Sequence, residues 1–184
     1  MKKIAVISSN EGLLLEAIVR YLKDVETTCI SFNEESLSIE RAKYLNINWI
    51  KTNAEELNNL LNKNNFDLVV SEDIINNEFD CVSIYPSLLP SFSKSENPIF
   101  DAITEGCKVT GLSVLYKNKI IAQYPVFITN DMHYDDLELR LSQVAQVMYP
   151  LVIEKVLNNE AFEIQNLMQK SHCSSCNGSC SGCK

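Results

Sequence analysis

Short apolar runs alternate with longer amphipathic ones along most of this chain, and no other feature restricts the fold as much. Residues 3–8 read KIAVIS, too short for a stable helix and dense enough in apolar side chains for a buried strand. The period then changes. Leu14, Leu15, Ile18, Val19 and Leu22 recur at helical spacing over residues 12–23 and form one stripe. The alternation repeats: residues 28–32 read as a strand, 39–45 as a short helix, 48–51 as a short strand. Residues 54–63 follow as a helix with Leu57, Leu60 and Leu61 on one face. Residues 66–70 and 80–84 are further strands, and Pro86 and Pro90 mark an irregular loop. Residues 99–105 form a helix ended by Gly106. Residues 108–116 and 120–127 read as two strands joined at Lys117-Asn118-Lys119, an antiparallel hairpin. Residues 135–157 make a long amphipathic helix, interrupted or ended near Pro150, which lacks an amide donor. The order predicts an α/β, Rossmann-like domain, a mostly parallel sheet flanked by helices, with a C-terminal hairpin and long helix.

Length and charge narrow the class further. The 184 residues, 46% of them hydrophobic, suit one domain over residues 1–160 and an extension over residues 161–184. A formal net charge of −8, with the carboxylates scattered, leaves no basic stripe to neutralise phosphates and argues against nucleic acid as the main partner. Met1-Lys2-Lys3 runs straight into Ile4-Ala5-Val6-Ile7, without the apolar length or cleavage site of a signal peptide. No stretch approaches a membrane span. The expectation is a cytoplasmic protein with reduced thiols.

The last twelve residues, CSSCNGSCSGCK, carry the clearest chemistry. Cys173, Cys176, Cys180 and Cys183 stand in C-x2-C-x3-C-x2-C spacing, separated by small, turn-forming residues. Two C-x2-C loops can bring four thiolates to one centre. Thiolates are soft ligands, so zinc or an iron–sulfur cluster is the expected cofactor. The three-residue gap is far shorter than the roughly 15–20 residues of a zinc ribbon. It is nearer the compact bacterial ferredoxin run. His172 is a further donor at the edge of the motif. A redox dithiol, a disulfide-bonded appendage and an inert terminus are the alternatives. Cys29, Cys81 and Cys107 lie in apolar, strand-like contexts and are expected to pack in the core.

Ser83-Ile84-Tyr85-Pro86-Ser87-Leu88-Leu89-Pro90 resembles the NIHPSLLP motif of formyltransferases that use 10-formyltetrahydrofolate. The layout is closest to that of glycinamide ribonucleotide formyltransferase. IAVISSNEGLLLEAI resembles that family's first strand, phosphate-binding loop and helix, with Asn10 and Gly12 at the loop. Ile39-Glu40-Arg41-Ala42 resembles its LERA-type helix, and Gly111-Leu112-Ser113-Val114 its GTSVH strand. Pro125-Val126 and Tyr149-Pro150-Leu151-Val152 also have counterparts, so the resemblance spans residues 3–158. It implies that the 87–90 loop and the 10–12 loop are ligand-binding.

The same resemblance shows what has changed. The family's Asn and His, which polarise the formyl carbonyl, fall on Ser83 and Tyr85. Its second His becomes Leu115, and the loop that would carry an Asp shrinks to Lys117-Asn118-Lys119. A tyrosine hydroxyl can donate a hydrogen bond, but a pKa of about 10 suits it poorly to shuttling protons. The family's folate-lining segment is cut to residues 71–79, and Glu11 puts a carboxylate where a phosphate would sit. These departures argue against 10-formyltetrahydrofolate as a cofactor. Glu72 and Asp73 follow a strand end, and Asp135 and Asp136 begin the long helix, where favourable dipole charge is the simpler account.

Two functions are expected. One is a formyltransferase-like protein without formyl transfer, serving as carrier, sensor or scaffold for the four-cysteine site, with a protein or metal-trafficking partner. The alternative is an active formyl transferase or hydrolase with a site remodelled at Ser83 and Tyr85. The apolar strand at residues 120–127 offers a surface for a homodimer.

Overall fold

A computed structural model of the chain describes residues 1–8, 11–72 and 80–160. Strands β1 (Lys2–Ile7), β2 (Val25–Ser31), β3 (Asn48–Lys51), β4 (Leu68–Ser71), β5 (Cys81–Tyr85), β6 (Val109–Tyr116) and β7 (Lys119–Phe127) form a seven-stranded sheet in the order β3-β2-β1-β4-β5-β6-β7. The pairings from β3 to β5 are parallel, and the last two are antiparallel. Helices α1 (Leu13–Tyr21), α2 (Leu37–Tyr44), α3 (Leu57–Asn64), α4 (Pro98–Thr104) and α5 (Tyr134–Leu157) complete the α/β architecture.

The alternating sequence explains the layers. Within β1, Ile4 and Val6 belong to the larger core with α1 and α5, while Ala5 and Ile7 face Leu57 and Leu61 of α3. A strand covered on both faces reads as an unbroken apolar run, which is why KIAVIS showed no period of two. The chain runs outward from β1 to β3, then returns to place β4 on the other side of β1. The gap beyond the carboxyl ends of β1 and β4 is therefore the switch point where α/β sheets hold ligands.

Lys117 and Asn118 both take positive φ, 53° and 59°. They form the tight hairpin turn whose twist matches the strands, so the turn is two residues and Lys119 already belongs to β7. Pro125 stands in the terminal strand of the sheet. A proline there removes a donor from the edge and blunts pairing with another chain.

One expectation needs correction. Helix α5 runs unbroken through Pro150 to Leu157. A proline in a helix interior costs about 3 kcal/mol in isolation. Here Tyr149, Val152 and Ile153 are fully buried around it, and packing outweighs the lost backbone bond. The Tyr149 hydroxyl reaches the carbonyls of Ser71 (2.6 Å) and Val82 (2.8 Å), tying α5 to the ends of β4 and β5. Among the described residues no helix is long and apolar enough to cross a membrane.

Candidate functional site

The carboxyl ends of β1, β2 and β4 open into a cavity of about 760 Å³. The loop into α1 supplies Glu11, Gly12, Leu13 and Leu14; the loop into α2 supplies Glu35, Ser36 and Leu37. Glu72 follows β4, and Asp135, Glu138, Leu139 and Ser142 line the cavity from α5. Gly12 is required twice over. Its φ is 70°, and a Cβ there would lie 2.9 Å from the Ser38 backbone. Arg41 braces this loop, donating from Nε to the Glu11 carbonyl at 3.0 Å and pairing with Glu16 of α1. The Arg41 guanidinium holds the Glu16 carboxyl below its usual range. Among the described residues, no Lys or Arg lines the cavity, whereas five carboxylates do.

A buried hydroxyl chain runs beneath it. Ser38 Oγ donates to the Ser8 carbonyl at 2.9 Å, so its single proton is used and it must accept from Ser36 Oγ, also at 2.9 Å. Ser36 in turn accepts from the Ile39 amide as the N-cap of α2 and lies 2.9 Å from Ser31 Oγ. Ser8 Oγ donates to the buried Glu72 carboxylate at 2.8 Å. None of these serines, nor Glu35 or Glu138, was evident from the sequence. Ser8 and Ser31 signal themselves only as small polar residues at strand ends, and Ser36, Ser38, Glu35 and Glu138 only as ordinary polar residues in or beside helices.

A second cluster sits at the end of β5. Ser83 is buried, in register between Ser71 of β4 and Leu115 of β6. The Tyr85 hydroxyl donates to the Phe92 carbonyl at 2.7 Å, with the Ser95 carbonyl at 3.2 Å. Burial, then the nearby Asp101 charge, pushes its phenol pKa up. The loop bearing Ser87, Leu88, Leu89 and Pro90 folds back onto the hairpin. Ser113 Oγ donates to the Ser87 carbonyl (2.6 Å) and accepts from the Leu89 amide (2.9 Å) and Gln123 Nε2 (2.9 Å). Gly111 makes room for this: a Cβ there would meet the Tyr124 carbonyl at 2.0 Å and Leu88 Cδ2 at 2.8 Å.

The sequence-derived candidates thus fall in two places. Gly12 lines the cavity; Ser83, Tyr85 and the 87–90 loop do not appear in its described lining. Asn10 and Asp73 lie outside the described residues, as do His172, Cys173, Cys176, Cys180 and Cys183. Cys29 is buried, and its thiol is pushed up to about 11 by desolvation. Cys81 and Cys107 are half-buried. Asp136 accepts from the His133 amide at 3.0 Å and so caps α5.

No family model matches the chain. It is 27% identical to phosphoribosylglycinamide formyltransferase of Bacillus subtilis over 85% of its own length and 95% of the relative's. The crystal structure of glycinamide ribonucleotide transformylase 1 from Geobacillus kaustophilus superposes with a TM-score of 0.76 at 26% identity, covering 85% of this chain and 99% of that one. In sequence and in fold, the chain is a divergent relative of the formyltransferases. A shorter match, 29% identical over 86 residues, joins it to methionyl-tRNA formyltransferase of Halalkalibacterium halodurans. The formyltransferase fold therefore accounts for the seven-stranded sheet.

Proposed function

We propose that this formyltransferase-family protein does not transfer formyl groups and acts as carrier, sensor or scaffold for a metal or iron–sulfur site at Cys173, Cys176, Cys180 and Cys183. One observation carries the loss of transfer: the Tyr85 hydroxyl, at the family's His position, is committed to the Phe92 carbonyl at 2.7 Å. Polarising a formyl oxygen needs a donor aimed at that oxygen. A phenol with a raised pKa is also a poor proton shuttle near neutral pH. Ser83, at the Asn position, is shorter than the residue it replaces and buried. The cavity supports the same reading, because Glu11, Glu35, Glu72, Asp135 and Glu138 disfavour a phosphate-bearing substrate.

The metal half of the proposal rests on donor chemistry. Four cysteines within eleven positions fit zinc or an iron–sulfur cluster, and both would be held by the thiolates. Such a group supplies fixed charge, redox capacity or a docking point. The partner class this reading requires is a protein that delivers or receives the metal, in a reducing, cytoplasmic setting. A homodimer through residues 120–127 is part of the same proposal, formed by packing of the exposed Ile120, Tyr124 and Phe127 side chains, since Pro125 blunts pairing along the strand edge.

The test is anaerobic purification of the intact chain and of a Cys173→Ser, Cys176→Ser variant, with metal analysis and a visible spectrum. Stoichiometric iron or zinc, lost in the variant, is expected. An assay for formyl transfer from 10-formyltetrahydrofolate should show no turnover. Turnover that disappears in Tyr85→Phe would instead establish the remodelled-enzyme reading. Absence of metal in both forms would remove the carrier role.

A further inference from the structure

The loop between β5 and α4, residues 86–97, is fastened by hydrogen bonds along its length. Its amides are engaged in sequence. Ser87 donates to the Tyr85 carbonyl, Leu89 to Ser113 Oγ, Ser91 to the Leu88 carbonyl and Ser95 to the Phe92 carbonyl, all at 2.9–3.0 Å. Side chains from three consecutive strands fasten it. Tyr85 of β5 grips the middle. Ser113 of β6 grips Ser87 and Leu89, and Gln123 of β7 donates to the Leu89 carbonyl at 3.0 Å. Phe92 lies at φ 55°, a region that an aromatic residue avoids unless its surroundings impose it. Its carbonyl is the one that takes the Tyr85 proton.

A phenol has one proton to give. A site that polarises an acyl oxygen must aim that proton at the ligand. We infer that loop 86–97 is an autoinhibitory strap: its Phe92 and Ser95 carbonyls act as an internal ligand for the Tyr85 hydroxyl, and Ser113 and Gln123 keep the strap seated. The Tyr85 hydroxyl can meet a carbonyl-bearing ligand only when the strap lifts. This rests on the proposed function in taking Tyr85 as the former carbonyl-polarising position. The strap itself is a separate claim, since a tyrosine that merely packs would leave the loop indifferent to its hydroxyl.

Amide hydrogen exchange and tyrosine hydroxyl-proton NMR on the full chain decide it. In the wild type, the amides of Ser87, Leu89, Ser91 and Ser95 should exchange slowly, and the Tyr85 hydroxyl should give a slowly exchanging proton signal. In Tyr85→Phe, loop exchange should rise about tenfold, as expected when one hydrogen bond fastening a local opening is lost, while the amides of Val6 and Val70 stay protected. In Gln123→Ala, which keeps the phenol and alters only a side chain on the edge strand, the hydroxyl signal should weaken. Equal loop exchange in wild type and Tyr85→Phe would overturn the strap, as would a hydroxyl signal unchanged in Gln123→Ala. Neither result depends on metal content or formyl transfer, so the strap and the proposed function can fail separately.

Discussion

Arg41 fastens the loop before α1 to the helix itself, and Glu16 is the acidic end of that brace. Its carboxyl pKa is lowered in the folded chain, chiefly by Arg41. A depressed carboxylate stabilises the fold above its unfolded pKa and loses that contribution as pH falls through the folded value. Glu16→Gln should therefore unfold at lower urea than the wild type at pH 7. The difference should shrink below about pH 4.3, the ordinary glutamate value, and vanish once the carboxyl is protonated in both states. A gap that widened on acidification would refute the brace. Cys29 makes a second residue-scale test. Buried, with its thiol pushed up to about 11, it offers almost no thiolate at pH 8. Mass-resolved alkylation should leave Cys29 unmodified in the native protein and label it fully in urea, while the half-buried Cys81 and Cys107 react sooner. Rapid native labelling of Cys29 would show that β2 opens readily.

At the scale of elements, each strand and helix expected from the apolar pattern exists, because burial of one stripe writes a helical period and burial of both strand faces writes an unbroken apolar run. Element ends were less legible, since backbone geometry and not side-chain pattern sets them. Helix α2 ends at Tyr44, and just past its cap Asn46 takes φ 54° and lets the Ile47 amide reach back to the Ala42 carbonyl at 3.1 Å. No apolar spacing announces that. Pro150 misled for the opposite reason: its local cost is visible in the sequence, while the packing that outweighs it comes from distant strands. The site shows the same division. SLLP was readable as a motif, and Ser83 and Tyr85 could be placed by resemblance. That Tyr85 bonds to its own loop depends on a turn seven residues ahead that no local pattern encodes. Tyr149 tests the element scale. Tyr149→Phe removes a hydroxyl reaching two buried carbonyls and should cost about 1–3 kcal/mol in urea unfolding, with the slope of the transition unchanged. A loss below a few tenths would mean that α5 is held by apolar packing alone.

For the molecule as a whole, charge is the property that bears most on which ligand the cavity admits. The switch point of the sheet still offers a cavity beside the β1–α1 loop, where helix-end amides favour anions. Around that cavity, however, stand Glu11, Glu35, Glu72, Asp135 and Glu138, within a chain of net charge −8. The helix end contributes about half a positive charge, which several carboxylates outweigh. Inorganic phosphate or a phosphoribosyl compound at millimolar concentration should therefore leave the melting temperature unchanged. A ligand at a hundred times its Kd would add about 2.7 kcal/mol and raise the melting temperature by several degrees, so the assay has the range to detect binding. Glu11→Lys with Glu35→Lys, on the two loops that flank the cavity, should create a phosphate-dependent shift that falls as salt is raised. If the native chain already shows that shift, the carboxylates do not face the ligand and the cavity has kept the family's anion preference. If only the double variant shows it, the fold has kept its binding place and changed which charge it admits.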